Sequence, residues 1–214
     1  MTETELRQLV KDAGVKLVES NLVQGTWGNI SVRIDDKYML VTPSGLDYIR
    51  LTPEEMVVVN IETMEYSGNI KPTSEKKIHA AIYRNRKEIG AVIHSHPFYA
   101  SSVAASRRNL PIISDAMEKH VLGDAIIADY GLPGTKKLTT AVLIALRERN
   151  ACLMANHGII ACAKNLDDAF MTCKILEESS RIFIEKETCI YSKNTTYSFN
   201  DIITVFQNRK ALKL

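Results

Sequence analysis

The sequence has little of what marks a secreted or membrane-bound protein. Its 214 residues include four cysteines, none in C-x-x-C spacing, so a disulfide framework is not expected. We instead expect reduced thiols and a cytoplasmic location. No apolar run approaches the roughly 18 residues that a membrane-spanning helix needs, and the N-terminal residues lack the basic and apolar regions of a secretory signal.

An excess of charge of one sign is also lacking. Lysine and arginine total 27 and aspartate and glutamate total 25, which gives a formal net charge of +2. A balance this even argues against a nucleic-acid groove or a membrane-surface patch, because both need a strongly basic face. What is present is the composition of a globular protein, with 45% hydrophobic and 24% charged residues. The length suits one domain.

Helical and strand patterns alternate along most of the chain, which predicts a layered α/β fold. Residues 2–18 combine a capping box with apolar residues at helical spacing. Residues 30–34 alternate apolar and polar side chains, as on a half-buried strand, and residues 38–42 read as the return strand of a hairpin. Because a hairpin pairs its strands antiparallel, we predict a single-domain α/β fold with a mixed central β-sheet and helices on both faces.

We assign residues 1–214 to one domain. Its core covers about residues 5–186, and residues 187–214 form a polar, weakly amphipathic C-terminal tail. Within the core, residues 91–93 read as a short buried strand, and Pro97 suits the first position of the helix that follows it.

Three of the histidines lie at the ends of apolar strands. His94 and His96 directly follow the strand at 91–93, and side chains two residues apart leave a strand on the same face. His157 follows another apolar strand, in a turn where Gly158 is expected to let the backbone bend sharply. Three imidazoles suit a Zn²⁺ ion with one open coordination position, which is typical of a catalytic rather than a structural site.

A carboxylate at a helix start is the second feature. Ser74 is predicted to be the N-cap of a helix whose first residue is Glu75. An N-terminal glutamate is common for purely electrostatic reasons, but the hydroxyls of Thr73 and Ser74 beside free N–H groups also make an anion pocket. His79 and His120 read as satisfied or helix-surface histidines, and His79 lies one turn beyond Glu75, within reach of its carboxylate.

Two glycine-containing loops complete the set of polar motifs. Gly25–Asn29 and Thr42–Gly45 offer backbone N–H groups and side-chain donors, but neither contains lysine or arginine. A phosphate would therefore be held by N–H and O–H groups, or by a basic residue from elsewhere in the protein.

Five motifs carry a family resemblance when they are taken in order. They are residues 25–33, residues 41–45, residues 72–75 together with His79, residues 94–96 and residues 156–158. In this order they resemble the class II aldolase/adducin family, and the resemblance spans roughly residues 5–186.

The resemblance implies a metal site and a phosphate site. The implied ligands of one zinc ion per subunit are His94, His96, His157 and, at rest, Glu75, which also serves as the proton-transfer group. The implied substrate contacts are Gly28, Asn29, Ser44, Gly45, Thr73 and Ser74. The resemblance also implies a fourfold homotetramer whose active site lies at a subunit interface.

The implied activity is reversible cleavage of a ketose 1-phosphate, such as L-fuculose 1-phosphate, to dihydroxyacetone phosphate and a small aldehyde. Aldolases of the family carry glutamate at the position of Glu75, whereas the related pentulose-phosphate 4-epimerases carry aspartate. The alternatives are a 5-deoxypentulose-phosphate aldolase, such an epimerase, and a sugar-phosphate dehydratase or decarboxylase. A non-catalytic adducin-like module is disfavoured, because such members lose the zinc histidines that this chain keeps.

The sequence departs from the family pattern on the aldehyde side. Asp115 stands near the position of a catalytic tyrosine, and Glu118, Lys119 and His120 lie close to it in sequence. Trp27 is bulkier than expected for its loop, and Tyr191 and Tyr197 are the tail residues that could replace a second family tyrosine. These departures leave the identity of the aldehyde open.

Overall fold

Seven strands and six helices form the described part of the chain. The computed structural model describes residues 2–194, with side chains through residue 189, so Tyr197 and the apolar residues near 202–206 lie outside it. The strands are β1 (Asn29–Arg33), β2 (Tyr38–Val41), β3 (Val57–Asn60), β4 (Ala91–Ser95), β5 (Ile127–Ala128), β6 (Ala151–Met154) and β7 (Gly158–Ala163). The helices are α1 (Glu3–Glu19), α2 (Lys76–Asn85), α3 (Phe98–Ala105), α4 (Asp115–Val121), α5 (Lys136–Leu146) and α6 (Leu166–Asn194).

The strands form one mixed sheet in the order β3-β2-β1-β4-β7-β6-β5. Neighbouring strands pair antiparallel except β5 and β6, which are parallel. The predicted α/β fold with a mixed sheet is therefore confirmed. Strand β4 contains His94, ends one residue before His96, and lies in the middle of the sheet between β1 and β7.

Helices cover both faces of the sheet, as predicted. Alternate residues of the strands feed two apolar clusters, so that Ile93 belongs to one cluster and Val92 to the other. Helices α1, α3, α4 and α6 pack on the first face, and α2 and α5 pack on the second. Burial on both faces explains why β4, β6 and β7 read as continuous apolar runs.

Strand β1 differs from the prediction of a half-buried strand. Its polar residue Ser31 is fully buried, like its apolar neighbours Ile30 and Val32. The expectation was wrong because α2 covers the face that the alternation assigned to solvent. There the Ser31 hydroxyl bonds to His79 and Tyr83 of α2.

The helix starts agree with the sequence to within one residue. The capping box of Thr2 and Glu5 is present, but Pro97 is the N-cap of α3 rather than its first residue. The backbone N–H groups of the next turn, on Tyr99 and Ala100, donate to the carboxylate of Glu177 from α6. Proline supplies no capping side chain, so α6 provides the cap.

The structure places three of the cysteines in the interior of the protein. Cys152, Cys162 and Cys173 are buried without disulfides, and burial raises the pKa of the Cys173 thiol to about 12. Across residues 2–194, no helix combines the length and the apolar character needed to cross a bilayer.

Candidate active site

The three predicted metal-binding histidines meet at one end of the central strands β4 and β7. Strand β4 pairs with β7 so that Ser95 lies opposite Ile159, which brings the end of β4 beside the turn that carries His157. One ring nitrogen from each of His94, His96 and His157 lies within 4.8 Å of the other two. The i, i+2 spacing therefore did bring the two rings of the His94–His96 pair together.

Hydrogen bonding fixes which nitrogen of His94 faces the cluster. The carbonyl oxygen of Ile159 can only accept, so His94 Nδ1, at 2.8 Å, must donate to it. Burial lowers the pKa of His94 and of His96 to about 3, so both rings are neutral. His94 Nε2 is then an unprotonated lone pair that points toward His96 Nε2, 2.8 Å away.

Glu75 adds a buried carboxylate to these lone pairs. Its Oε2 lies 3.0 Å from His94 Nε2 and its Oε1 lies 3.5 Å from His157 Nε2. Oε1 is buried and has no hydrogen-bond partner within the described residues. The Glu75 oxygen that faces the lone pair of His94 Nε2 is repelled by it unless a cation lies between them, so the donor set fits a divalent metal such as zinc.

The position of Glu75 on α2 corrects the sequence prediction. Glu75 is the N-cap of the helix, with φ −95° and ψ 8°, rather than its first residue, and Ser74 precedes the cap. The Thr73 hydroxyl accepts from the Glu75 N–H at 3.2 Å. The hydroxyl that satisfies this N–H thus comes from Thr73, and the Glu75 side chain turns into the site instead of capping its own helix.

The turn before β7 also differs from the prediction. Asn156, not Gly158, adopts the left-handed backbone, with a φ of 55°. Gly158 is needed for space, because a Cβ there would lie 2.5 Å from the Ser95 carbonyl oxygen and 3.3 Å from ring atoms of His94 and His96.

Replacing Gly158 with alanine should therefore damage the histidine cluster. We expect the added methyl to push the two rings apart, to lower the free energy of unfolding by about 1–3 kcal/mol, and to reduce the metal content of the purified protein. Urea unfolding and elemental analysis measure the two effects. Gly68→Ala is the control for metal content, since Gly68 has a φ of +89° and open space around it, so that alanine there strains the backbone without touching the histidines. It should keep the metal content of the wild type. A Gly158→Ala protein with normal metal content would contradict the steric argument.

The cluster opens into a cavity of about 490 Å³. Its lining includes all ten residues that the family resemblance singled out: Gly28, Asn29, Ser44, Gly45, Thr73, Ser74, Glu75, His94, His96 and His157. The other lining residues are Thr26, Trp27, Pro43, Pro133 and Asn156. Within the described residues, none of the lining side chains is lysine or arginine. The positive pole of α2 and nearby N–H and O–H groups are what the cavity offers to an anion.

Several residues have different surroundings from those expected. The Asn29 side chain bonds to Glu75 and His79, and His79 is buried and bonds to Asn29 rather than to Glu75 directly. Trp27 is 64% exposed at the mouth of the cavity, and its ring centroid lies 5.9 Å from that of His96. Pro133 was missed, since nothing in its own segment signals a site.

The aldehyde-side residues are not brought to the cavity of their own chain. Asp115, Glu118, Lys119 and His120 lie on α4, and none of them lines the cavity. For Tyr191 the structure describes only the helical backbone of α6.

Comparison with known proteins identifies the family. Residues 8–184 match the family described as Class II Aldolase and Adducin N-terminal domain. The chain belongs to this family. The motifs that carried the resemblance at 25–33, 72–75, 94–96 and 156–158 all lie inside the matched range.

Several relatives with similar sequences are named as sugar-phosphate aldolases. The chain is 34% identical over 184 residues to the 5-deoxy-D-ribulose 1-phosphate aldolase of Bacillus thuringiensis serovar kurstaki, and the alignment covers 85% of each chain. It is 32% identical over 184 residues to the L-fuculose phosphate aldolase of Escherichia coli K12, covering 86% of this chain and 85% of that one. A solved structure of L-fuculose 1-phosphate aldolase matches with a TM-score of 0.83 and 32% identity over 98% of both chains.

The family and the site geometry agree on the class of enzyme. Class II aldolases are lyases that use a divalent metal, and this chain places three histidines where they can share one ion. The protein is therefore a metal-dependent lyase of the class II aldolase type.

Proposed function

We propose that this enzyme is a zinc-dependent aldolase that reversibly cleaves a ketose 1-phosphate to dihydroxyacetone phosphate and a small aldehyde such as L-lactaldehyde. The observation that carries the proposal is the convergence of three histidines and the buried Glu75 on a cavity lined with hydroxyl and amide groups. The relative named 5-deoxy-D-ribulose 1-phosphate aldolase and the solved L-fuculose 1-phosphate aldolase are both named for a ketose 1-phosphate, which supports this substrate class.

The phosphate would be held near the start of α2. Thr73 and Ser74 lie at this helix end, and Ser44 and Gly45 approach from the neighbouring turn. The Thr42–Thr73 backbone hydrogen bond ties the two segments together, so their donors face one space. Gly28, with a φ of +112° and the His94 carbonyl oxygen 2.8 Å from where its Cβ would be, brings the backbone N–H groups of its loop close to the same cavity.

In this proposal His94, His96 and His157 hold the zinc ion, with Glu75 as the fourth ligand before substrate enters. When bound, zinc acts as a Lewis acid that stabilises the negative charge of an enediolate, a contribution of several kcal/mol. The protein fixes the ligand orientation through the hydrogen bond from His94 Nδ1 to Ile159.

Glu75 then serves as the proton-transfer group. When the C3–C4 bond breaks, the C4 hydroxyl gives up its proton to solvent and becomes the aldehyde carbonyl, and the bonding electron pair stays at C3 of the dihydroxyacetone phosphate fragment. Protonated Glu75 delivers a proton to C3 and is reprotonated from solvent. In the synthetic direction Glu75 removes the same proton before the new C–C bond forms. Oε2 accepts from Asn29 at 3.0 Å, so Oε1, which has no partner within the described residues, is the oxygen that carries the proton.

We also propose that the active enzyme is a homotetramer with its sites at subunit interfaces. Trp27, Phe98 and Leu132 are 64%, 66% and 62% exposed. Trp27 lines the cavity, Leu132 directly precedes the lining residue Pro133, and Phe98 follows His96 by two residues. Large exposed apolar side chains rimming a polar cavity are typical of an interface. In such an assembly the polar residues of α4, from Asp115 to His120, would face the aldehyde half of a neighbouring site.

A second candidate is an aldolase for 5-deoxypentulose 1-phosphates. The specific observation that favours it is the 34% identity to a relative of that name. The chemistry at C3 is the same in both cases, and only the aldehyde differs. Epimerase, dehydratase and decarboxylase activities use related metal-stabilised anions and remain outcomes of the test.

The test is product analysis with a substrate panel. We expect the zinc-loaded protein to release dihydroxyacetone phosphate from L-fuculose 1-phosphate, 5-deoxy-D-ribulose 1-phosphate or both. The release is measured with a coupled glycerol-phosphate dehydrogenase assay and by NMR. The ratio of kcat/KM values assigns the aldehyde. L-Ribulose 5-phosphate, an epimerase substrate, is the control. Epimerisation without a three-carbon fragment, or release of water or CO₂, would contradict the aldolase assignment.

A further inference from the structure

A continuous chain of buried hydrogen bonds runs from α2 through β1 to the Glu75 carboxylate. The Tyr83 hydroxyl lies 2.8 Å from Ser31 Oγ, which lies 2.7 Å from His79 Nδ1. His79 Nε2 lies 2.6 Å from Asn29 Oδ1, and Asn29 Nδ2 lies 3.0 Å from Glu75 Oε2. Tyr83, Ser31 and His79 are all fully buried, and none of the three lines the cavity.

The hydrogen atoms in this chain have one consistent direction. A carboxylate only accepts, so Asn29 must present Nδ2–H to Glu75 and turn its Oδ1 toward His79. His79 Nε2 must then carry a proton, and burial lowers the pKa of this ring to about 3, so the ring has no second proton. Its Nδ1 accepts from the Ser31 hydroxyl, whose oxygen accepts from Tyr83. Burial also raises the pKa of Tyr83, which keeps that donor protonated.

We propose that Tyr83, Ser31, His79 and Asn29 form a positioning relay that fixes the Glu75 carboxylate through Oε2 and leaves Oε1 to handle the proton. None of the first three touches substrate or metal, so they act through Asn29. This inference rests on the proposed role of Glu75 in proton transfer. It explains why polar side chains are buried between β1 and α2, which packing alone does not require.

The far end of the relay is itself held in place. Arg33 stacks its guanidinium over the Tyr83 ring at 4.7 Å and donates to the Tyr83 carbonyl oxygen at 2.8 Å. A buried polar network is costly unless each member is satisfied. Because each hydroxyl and ring nitrogen here has its partner, the network can hold a single arrangement, which is what a proton-transfer carboxylate needs.

The test compares two substitutions at His79. His79→Gln keeps an N–H donor that can reach Asn29, whereas His79→Leu has similar bulk and no donor. We expect His79→Leu to lower kcat by about 10–100-fold with KM and zinc content within about twofold of wild type. His79→Gln should recover most of kcat. If both variants lose kcat equally, or if the loss lies in KM, the relay is refuted and His79 is only structural.

A spectroscopic measurement decides the relay without turnover or metal. In ¹⁵N NMR spectra of the metal-free wild-type protein, His79 should be neutral with its proton on Nε2, and the Asn29 side-chain amide should give a shifted, exchange-protected signal. That amide signal should persist in His79→Gln. In His79→Leu its chemical shift and exchange rate should move toward those of a solvent-exposed amide. A proton on His79 Nδ1 in the wild type would overturn the relay even if His79→Leu fails to fold. Absence of aldolase activity with correct spectra would count against the proposed function instead.

Discussion

Stripping the divalent metal with a chelator is expected to reduce C–C bond cleavage by at least about 10³-fold, because several kcal/mol of charge stabilisation are lost and each 1.4 kcal/mol is a factor of ten. The site lining within the described residues contains no lysine that could replace this charge by forming a Schiff base. The measurement is the rate of dihydroxyacetone phosphate release before and after dialysis against the chelator, with metal content followed in parallel.

Two controls separate metal loss from damage to the protein. Adding back stoichiometric Zn²⁺ should restore the rate, and the circular dichroism spectrum should be unchanged throughout. Borohydride added with substrate should leave the enzyme active, since no imine forms. Full turnover by a protein shown to contain no metal would remove the basis of the proposed mechanism.

The metal cluster was predictable because its geometry follows from local rules. Alternation on a strand places His94 and His96 on one face. The apolar residues before them indicate a central strand, and the end of a central strand lies beside the end of another strand. The third histidine, His157, follows β6, which is not a neighbour of β4 in the sheet. The observed neighbour is β7, which begins directly after the His157 turn.

What the sequence did not show is which polar residues are buried. Ser31 alternates with apolar residues and so predicts a solvent-facing side chain, but α2 packs over it. His79 and Tyr83 are four residues apart on α2, and Asn29 and Ser31 are two apart on β1, so each pair shares one face. The spacing within each element could therefore have predicted a polar pair on one face of α2 and another on one face of β1. Only the packing of α2 on β1, a long-range feature, shows that the two faces meet.

The roles of the glycine and the helix cap were missed for a similar reason. A glycine after asparagine and histidine suggests a bend, yet Asn156 bears the left-handed conformation and Gly158 provides room for two rings. The helix start shifted by one residue because Thr73, rather than Ser74, supplies the hydroxyl to the backbone. Both corrections arise from which atoms come close in three dimensions, which residue types alone do not specify.

Glu75→Gln is expected to lower kcat by about 10²–10⁴-fold, the range for loss of a general acid–base group. Glutamine has the shape of glutamate and can still accept from Asn29 through its amide oxygen, but it cannot carry the proton. The three histidines are untouched, so elemental analysis should show zinc content near that of the wild type. The decisive measurement is exchange of the C3 proton of dihydroxyacetone phosphate with deuterated water, followed by NMR.

This exchange experiment isolates the proton step, since it needs no aldehyde and no bond cleavage. The wild type should exchange one of the two C3 hydrogens with defined stereochemistry, and Glu75→Gln should not exchange either at a measurable rate. Glu62→Gln, a substitution of an exposed carboxylate outside the site, is the control and should behave as the wild type. Exchange at the wild-type rate in a zinc-loaded Glu75→Gln protein would show that a group other than Glu75 transfers the proton. The most direct place to search would then be α4 of a neighbouring subunit in the proposed homotetramer, where Asp115, Glu118 and His120 offer titratable side chains.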